Sequence, residues 1–346
     1  MFRDDSIEVW NLTSGGIVET GCQKVVTVVG RLLGWDFGTT AVYRLNGGPS
    51  MPIAVCDMRL GRLCEIGDFG IDSICRDALL DGENSIEIEV RRSIQRARSI
   101  SRLTFTPRRT RLPEPKFDLV IDSSQSVEEV GQVVDGRWSI GVDDRGANVR
   151  IAPGHEGYDR IVLFGDEAWD TNYEIITEFT IDGYPTPFSS FGPVFRWQPH
   201  VQGDGSHLPR AWTSALAIYS SGLRGLTLRS GLAVEYGADG SRSRHALHAA
   251  RRASTPRATW SSVTARVPWI PHVPEFPVGR ALQMRVAVCG SSTEVSIEPS
   301  GWSGIQRSAS IAGTLGEPPV NDGAVGFLAA GCSVRIHRFE VRPIRH

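Results

Sequence analysis

Two glutamates four residues apart, Glu174 and Glu178, are the pair in this sequence best spaced for acid–base chemistry. They fall in the alternating run from Asn172 to Ile181. On a strand, Tyr173, Ile175, Phe179 and Ile181 share one face, while Asn172, Glu174, Ile176 and Glu178 share the other. Two carboxylates on an open face are the equipment of glycoside hydrolysis, one as acid and the other as base or nucleophile. Residues four apart on a strand are about 13 Å apart at Cα, so the side chains must lean together to reach the roughly 5–9 Å this chemistry uses. The alternative is a solvated outer face carrying two ordinary glutamates.

A second cluster begins at Phe195-Arg196-Trp197-Gln198-Pro199-His200 and runs into a loop holding Asp204, His207, Arg210 and Trp212. Sugars stack their C–H faces on aromatic rings while planar polar groups bond their hydroxyls. Arg196, Trp197, His200, His207 and Trp212 supply that set, and Arg196 suits the carboxylate of an acidic glycan. The competing reading is a strand end in which one alternating set is simply core. His200, Asp204 and His207 are also candidate metal ligands, although their spacing matches no fixed motif. Asp166, Glu167 and Asp170 offer oxygen ligands of the kind Ca2+ takes, with Asp166 and Asp170 as the candidate pair. No glycine-rich phosphate loop, Gly-x-Ser-x-Gly elbow or His-Glu-x-x-His run occurs, so phosphoryl transfer, dinucleotide chemistry and zinc proteolysis have no support.

The elements that must position these residues are strands. Lys24–Val29, Ala41–Leu45 and Ser85–Val90 alternate with period two between Gly, Pro, Asn and Asp boundaries. Asn46-Gly47-Gly48 supplies the positive φ angles of a tight hairpin, and Leu79 to Asn84 reads as a turn. The stretch Asp122 to Val134 holds at most a turn of helix. Residues 1–110 are expected to form a first β-sandwich and residues 111–346 a second, with the charged, proline-bearing Arg108–Pro115 between them. Strands of the second include Arg137–Val142, Asp159–Phe164, Tyr173–Ile181, Gly192–Trp197, Ala215–Tyr219, Gly225–Arg229 and Leu232–Tyr236. Ala281–Cys289, Thr293–Glu298, Ala324–Leu328 and Val334–Arg342 complete the set, which suits a two-sheet jelly roll. Asp143, Asp144 and Asn148 read as a turn, and the basic stretch Ala238 to Thr259 as a long loop.

The composition sets outer limits. A chain of 346 residues suits two domains, and 37 basic against 39 acidic side chains give no electrostatic reason to expect nucleic acid or an anionic membrane surface. No window approaches the roughly 20 apolar residues of a membrane span. The first residues lack a signal-peptide pattern, so the expectation is a cytosolic chain or a secreted one trimmed of its leader. Six cysteines, Cys22, Cys56, Cys64, Cys75, Cys289 and Cys332, include no C-x-x-C pair. Their split permits disulfides within each half, or simple buried thiols.

Two segments of the second half resemble the concanavalin A-like, laminin-G-like superfamily. Trp169 to Thr180 is similar to the strand that opens that sandwich. Gly323-Ala324-Val325-Gly326-Phe327-Leu328 with Val334 to Val341 is similar to its closing hairpin, whose last strand returns beside the first. Asn46-Gly47-Gly48, Gly67-Asp68-Phe69 and Leu79 to Asn84 resemble bacterial immunoglobulin-like modules. The resemblance implies an all-β chain of two sandwiches, immunoglobulin-like then concanavalin A-like, with a polysaccharide or oligosaccharide as partner and Ca2+ as a possible cofactor. Glu174 and Glu178 match the outer positions of the Glu-x-Asp-x-Glu strand of laminarinase-type glucanases, but Ile176 occupies the middle one. The superfamily includes hydrolases, polysaccharide lyases, lectins and adhesion modules, so a glycan-cleaving enzyme, a carbohydrate-binding module and a structural assembly protein all stand as readings.

Overall fold

The computed structural model describes residues 6–36, 38–56, 65–92, 97–157, 160–169, 172–183, 188–197, 210–220, 225–235, 262–266, 278–290, 292–299, 309–314 and 322–344. The Ala238–Thr259 loop lies outside the described residues. The chain is almost wholly β. Its first strands are β1 (Ile7–Val9), β2 (Gly16–Glu19), β3 (Val25–Leu32), β4 (Thr40–Leu45), β5 (Met51–Pro52), β6 (Ala54–Val55), β7 (Asp68–Cys75), β8 (Asn84–Arg92) and β9 (Ala97–Arg108). They form two sheets, β1-β3-β7-β6 and β2-β9-β8-β4-β5.

The alternation read from the sequence places the core between these sheets. Val28 and Phe69 come from one, Ile86, Ile88 and Phe105 from the other, and all are fully buried. The alternate residues Glu87 and Glu89 face outward, where arginines meet them. Asn46 and Gly47 adopt φ of 49° and 71°, closing the turn after β4 as that dipeptide should. The Leu79–Asn84 turn is held by Asn84, whose side chain bonds the backbone of Leu80 and Gly82.

The remaining elements are β10 (Phe117–Asp118), α1 (Val127–Val130), β11 (Gln132–Asp135), β12 (Trp138–Asp143), β13 (Gly146–Ile151), β14 (Arg160–Phe164), β15 (Tyr173–Gly183) and β16 (Phe188–Trp197). They continue with β17 (Arg210–Ser220), β18 (Gly225–Glu235), β19 (Ser262–Arg266), β20 (Ala281–Cys289), β21 (Ser292–Pro299), β22 (Ala309–Thr314), β23 (Ala324–Ala330) and β24 (Ser333–Pro343). One sheet runs β12-β13-β24-β15-β20-β21-β22, with β10 also on β24; the facing sheet runs β11-β14-β23-β16-β17-β18-β19. Phe164, Phe179, Phe191, Phe195, Phe327 and Phe339 fill the space between them. Aromatic rings bury large areas apiece, and Phe179 meets both Phe191 and Phe327 edge-on.

Several sequence expectations are corrected. The segments read as starting at Gly225 and at Leu232 are one strand, β18, because Ser230 and Gly231 pair with β17 on one side and β19 on the other, so the ladder carries the chain through an apparent turn; Tyr236 lies outside the described residues. Asn148 is a buried member of β13 rather than part of the Asp143 turn. The last two strands are not a hairpin: β23 and β24 lie in opposite sheets. Gly331, at φ 66°, turns the chain across the edge. Its N–H bonds Gly157 O at 2.8 Å and its carbonyl accepts from Ser189 Oγ at 2.7 Å. The end of β24 does return beside the domain's first strand, pairing Val341 with Phe117. Cys22, Cys75, Cys289 and Cys332 are free thiols, and Cys64 lies outside the described residues.

Candidate functional site

Strand β15 delivers the two glutamates as its alternation requires, on the outer face of its sheet. Glu174 stands opposite Arg342 and Ala287, Ile176 opposite Glu340 and Arg285, and Glu178 opposite Arg338 and Gln283. Ile176 is buried despite facing outward, as expected where long charged side chains on both neighbouring strands can lay their apolar stems across a short apolar one. The β13 side supplies a further arginine: Arg145 donates to the Glu178 carboxylate. Glu174 lies near Arg342, whose pKa is raised by its hydrogen bond to Glu340 chiefly and by Glu174 in lesser part. The two carboxylates thus look to different cations at different ends of the row.

Beyond Glu178 the same face carries a compact charge cluster. Arg335 bonds both Asp143 and Asp182. His337 Nε2 sits 2.9 Å from Thr180 Oγ1 and its Nδ1 3.9 Å from Asp143. Burial holds the His337 pKa below its ordinary value, against the opposing pull of Asp143.

Arg196 and Trp197 end β16, but neither faces solvent. A register shift between Val194 and Trp197 interrupts the pairing with β23, and Arg196 adopts φ 54°, a conformation uncommon for a non-glycine residue. The irregularity alters the alternation: Phe195 enters the main core, while Val194 and Trp197 lie together in a separate cluster with Cys22, Ile161, Leu163 and Leu328. Trp197 is 1 % exposed and its Nε1 donates to Gln23 Oε1 at 2.9 Å. It thereby ties the second sandwich to the first.

Asp166 is buried in the same seam. Its carboxylate accepts the N–H of Leu112 at 3.0 Å and of Ala168 at 2.9 Å. Glu167 pairs with Arg76 at 2.7 Å and Arg109 at 3.3 Å. Each carboxylate oxygen of Asp166 thus accepts one backbone amide, and no group of three or more His, Cys, Asp or Glu suited to a metal occurs among the described residues. Asp170, His200, Asp204 and His207 lie outside the described residues. Trp212 falls in β17, paired with Ala233.

The seam also holds a concavity that sequence reasoning missed. A cleft of about 220 Å³ opens between the sandwiches, with Glu19, Arg108 and Thr110 on one wall and Phe117, Asp118 and Gln125 on the other. Glu19 is fixed in place: it accepts from the N–H groups of Thr20, Gly21 and Thr110 at 3.0, 2.8 and 3.0 Å and from Thr110 Oγ1 at 2.6 Å. Arg108 lies 3.6 Å from Glu19 and donates to the Glu129 carbonyl. Phe117 is backed by Phe164, the rings stacked at 5.9 Å. At the cleft's inner end the Cys22 thiol donates to Gly165 O at 3.4 Å. Burial, with the charges of Glu19 and Asp166, pushes its pKa well up, so it is not a nucleophile at neutral pH. Most of these wall residues fall within the single stretch Arg108 to Gln125, at the charged, proline-bearing run expected to join the sandwiches, while Glu19 comes from far earlier in the chain and nothing local marks it as their neighbour.

No protein-family model and no curated protein matches the sequence. Among solved structures, the exoplasmic/lumenal domain of VIP36 in its Ca2+/Man3GlcNAc-bound form is 11 % identical, over 66 % of this chain and 89 % of that one, with a TM-score of 0.37. A legume lectin-like domain from Entamoeba histolytica is 10 % identical over 65 % and 99 %, with a TM-score of 0.35. Peanut lectin bound to a nine-residue peptide is 11 % identical over 67 % and 98 %, with a TM-score of 0.35.

Proposed function

We propose that this chain binds a polysaccharide without cleaving it, seating a sugar unit in the cleft between its two sandwiches. The observation that carries this reading is the make-up of that cleft. One aromatic ring, Phe117, is set among Glu19, Arg108, Thr110, Asp118 and Gln125, a mixture able to meet both the C–H face and the hydroxyls of a sugar. The N-terminal sandwich, which we read as immunoglobulin-like, forms one wall rather than a detached spacer.

The carboxylates of a cleaving enzyme would be Glu174 and Glu178. The pairing of Glu178 with Arg145 and the placement of Glu174 beside Arg342 favour a structural charge row over an acid–base pair. The test is incubation of the purified chain with a panel of polysaccharides, reading released oligosaccharides by mass spectrometry. Retention of one polysaccharide with no new products is expected. New products abolished by Glu174→Gln would replace this reading with glycoside cleavage.

A further inference from the structure

One end of the second sandwich holds buried hydrogen-bond donors with no acceptor among the described residues. Arg196 reaches from the end of β16 towards the facing sheet, where its Nη2 donates to the Gly290 carbonyl in the β20–β21 turn. Its Nε and Nη1 are buried and have no hydrogen-bond partner among the described residues, and the residue as a whole is 3 % exposed. The Tyr173 hydroxyl, at the start of β15, is likewise buried with no acceptor for its O–H among the described residues, while the Arg196 backbone N–H approaches its oxygen. The hydroxyl is close enough for the guanidinium charge to act on it, although burial dominates and pushes its pKa up. A guanidinium is never deprotonated in a protein, so this group carries its charge into the interior.

The surrounding backbone holds the arrangement. Asn172 Oδ1 accepts the Gly290 N–H at 2.9 Å, which fixes the turn whose carbonyl Arg196 engages. A Cβ on Gly323 would lie 2.5 Å from Arg196 C and from Trp197 O, so glycine is needed for β23 to pass behind the irregular strand. The positive φ of Arg196 and the register shift beside it are both costs to the fold. They aim the side chain between the sheets instead of outward.

We propose that Arg196 and Tyr173 form a binding site for a compact monoanion, either a halide or a carboxylate. The free donors at this point are the Nε and Nη1 N–H groups and one phenol O–H, and an anion is the partner that satisfies donors and balances the charge together. Water would receive hydrogen bonds but leave the charge uncompensated. The site shares no residue with the cleft and stands independently of the glycan reading.

The full chain, prepared free of halide and carboxylate, is titrated with chloride, bromide or glucuronate at constant ionic strength balanced with sodium sulfate, a dianion outside the proposed class, while the unfolding midpoint is followed. A saturable rise of about 3 °C at a hundredfold excess over the dissociation constant is expected. Tyr173→Phe keeps the ring and removes one donor, so the same response should need roughly tenfold more anion. Arg196→Met should abolish saturation, and Tyr173→Phe carries the test if that variant fails to fold. Saturation by halide alone identifies a free inorganic ion. Saturation by glucuronate alone identifies the carboxylate of an acidic sugar. No saturable response in the native chain, or identical responses in the native and Tyr173→Phe proteins, overturns the proposal.

Discussion

Glu89→Gln tests whether the charge row on the outer face of the N-terminal sheet stabilises the fold. Glu89 receives hydrogen bonds from Arg44, Arg91 and Arg98 at 3.2, 2.5 and 2.9 Å. The arginine hydrogen bonds, Arg98 first and then Arg91, hold its pKa at about 2, against an ordinary 4.5. Such a shift, at about 1.36 kcal/mol per pH unit, sets a ceiling near 3.4 kcal/mol. Glu89 is only 1 % exposed, but Arg91 and Arg98, two of the side chains that engage it, are 66 % and 55 % exposed. Solvent screening at such groups brings the expectation down to about 1–2 kcal/mol. Because the folded pKa is depressed, the contribution is complete above the unfolded value and fades as pH falls through 4.5 towards 2. Native-state hydrogen exchange at Ile86, Ile88 and Val90, compared between the native chain and Glu89→Gln, reads this sandwich separately from the other. The difference should be largest above pH 5 and shrink on acidification. Equal protection at pH 7, or a difference constant with pH, would refute the reasoning.

Three further outcomes follow from the packing. Trp197→Ala empties a fully buried site and leaves Gln23 without its donor, at a cost of about 3–5 kcal/mol, read as a lowered unfolding midpoint with faster exchange on both sides of the seam. Gly30→Ala would place a methyl 2.1 Å from Glu8 O and 2.6 Å from the Phe69 ring; a loss of about 2 kcal/mol or more is expected, in contrast to an exposed Gly82→Ala, where nothing lies within 4 Å. Burial lowers the folded pKa of His337, and of His155 beside Arg137 and Arg31. Stability should therefore decline as pH falls below about 6.5. Replacing both histidines with Gln should flatten that part of the denaturation profile.

Much of the strand framework was legible because a half-buried strand writes its faces into the sequence with period two. Glu174 and Glu178 took the outer face and Tyr173, Ile175, Phe179 and Ile181 the core, as that rule requires. The rule failed where the backbone departs from it. Phe195 and Trp197 look like one face of a strand, yet the register shift before Trp197 puts them in separate clusters. Gly231 looks like a break, yet pairing on both sides makes it strand. The position of the junction was legible in the Arg108–Pro115 run, but the contacts across it were not. Gln23 meets Trp197 and Arg76 meets Glu167 across long separations, and nothing near either residue in sequence marks its partner. The cleft is a product of those contacts, so it too was hidden.

The most direct test of the account is the affinity of a retained polysaccharide for the native chain and for Phe117→Ala and Gln125→Ala, measured calorimetrically with exchange used to confirm an intact fold. Loss of tenfold or more in affinity, about 1.4 kcal/mol, is expected for Phe117→Ala, with a smaller loss for Gln125→Ala. Unchanged affinity in both folded variants, or no retention of any polysaccharide by the native chain, would contradict the placement of a sugar between the two sandwiches.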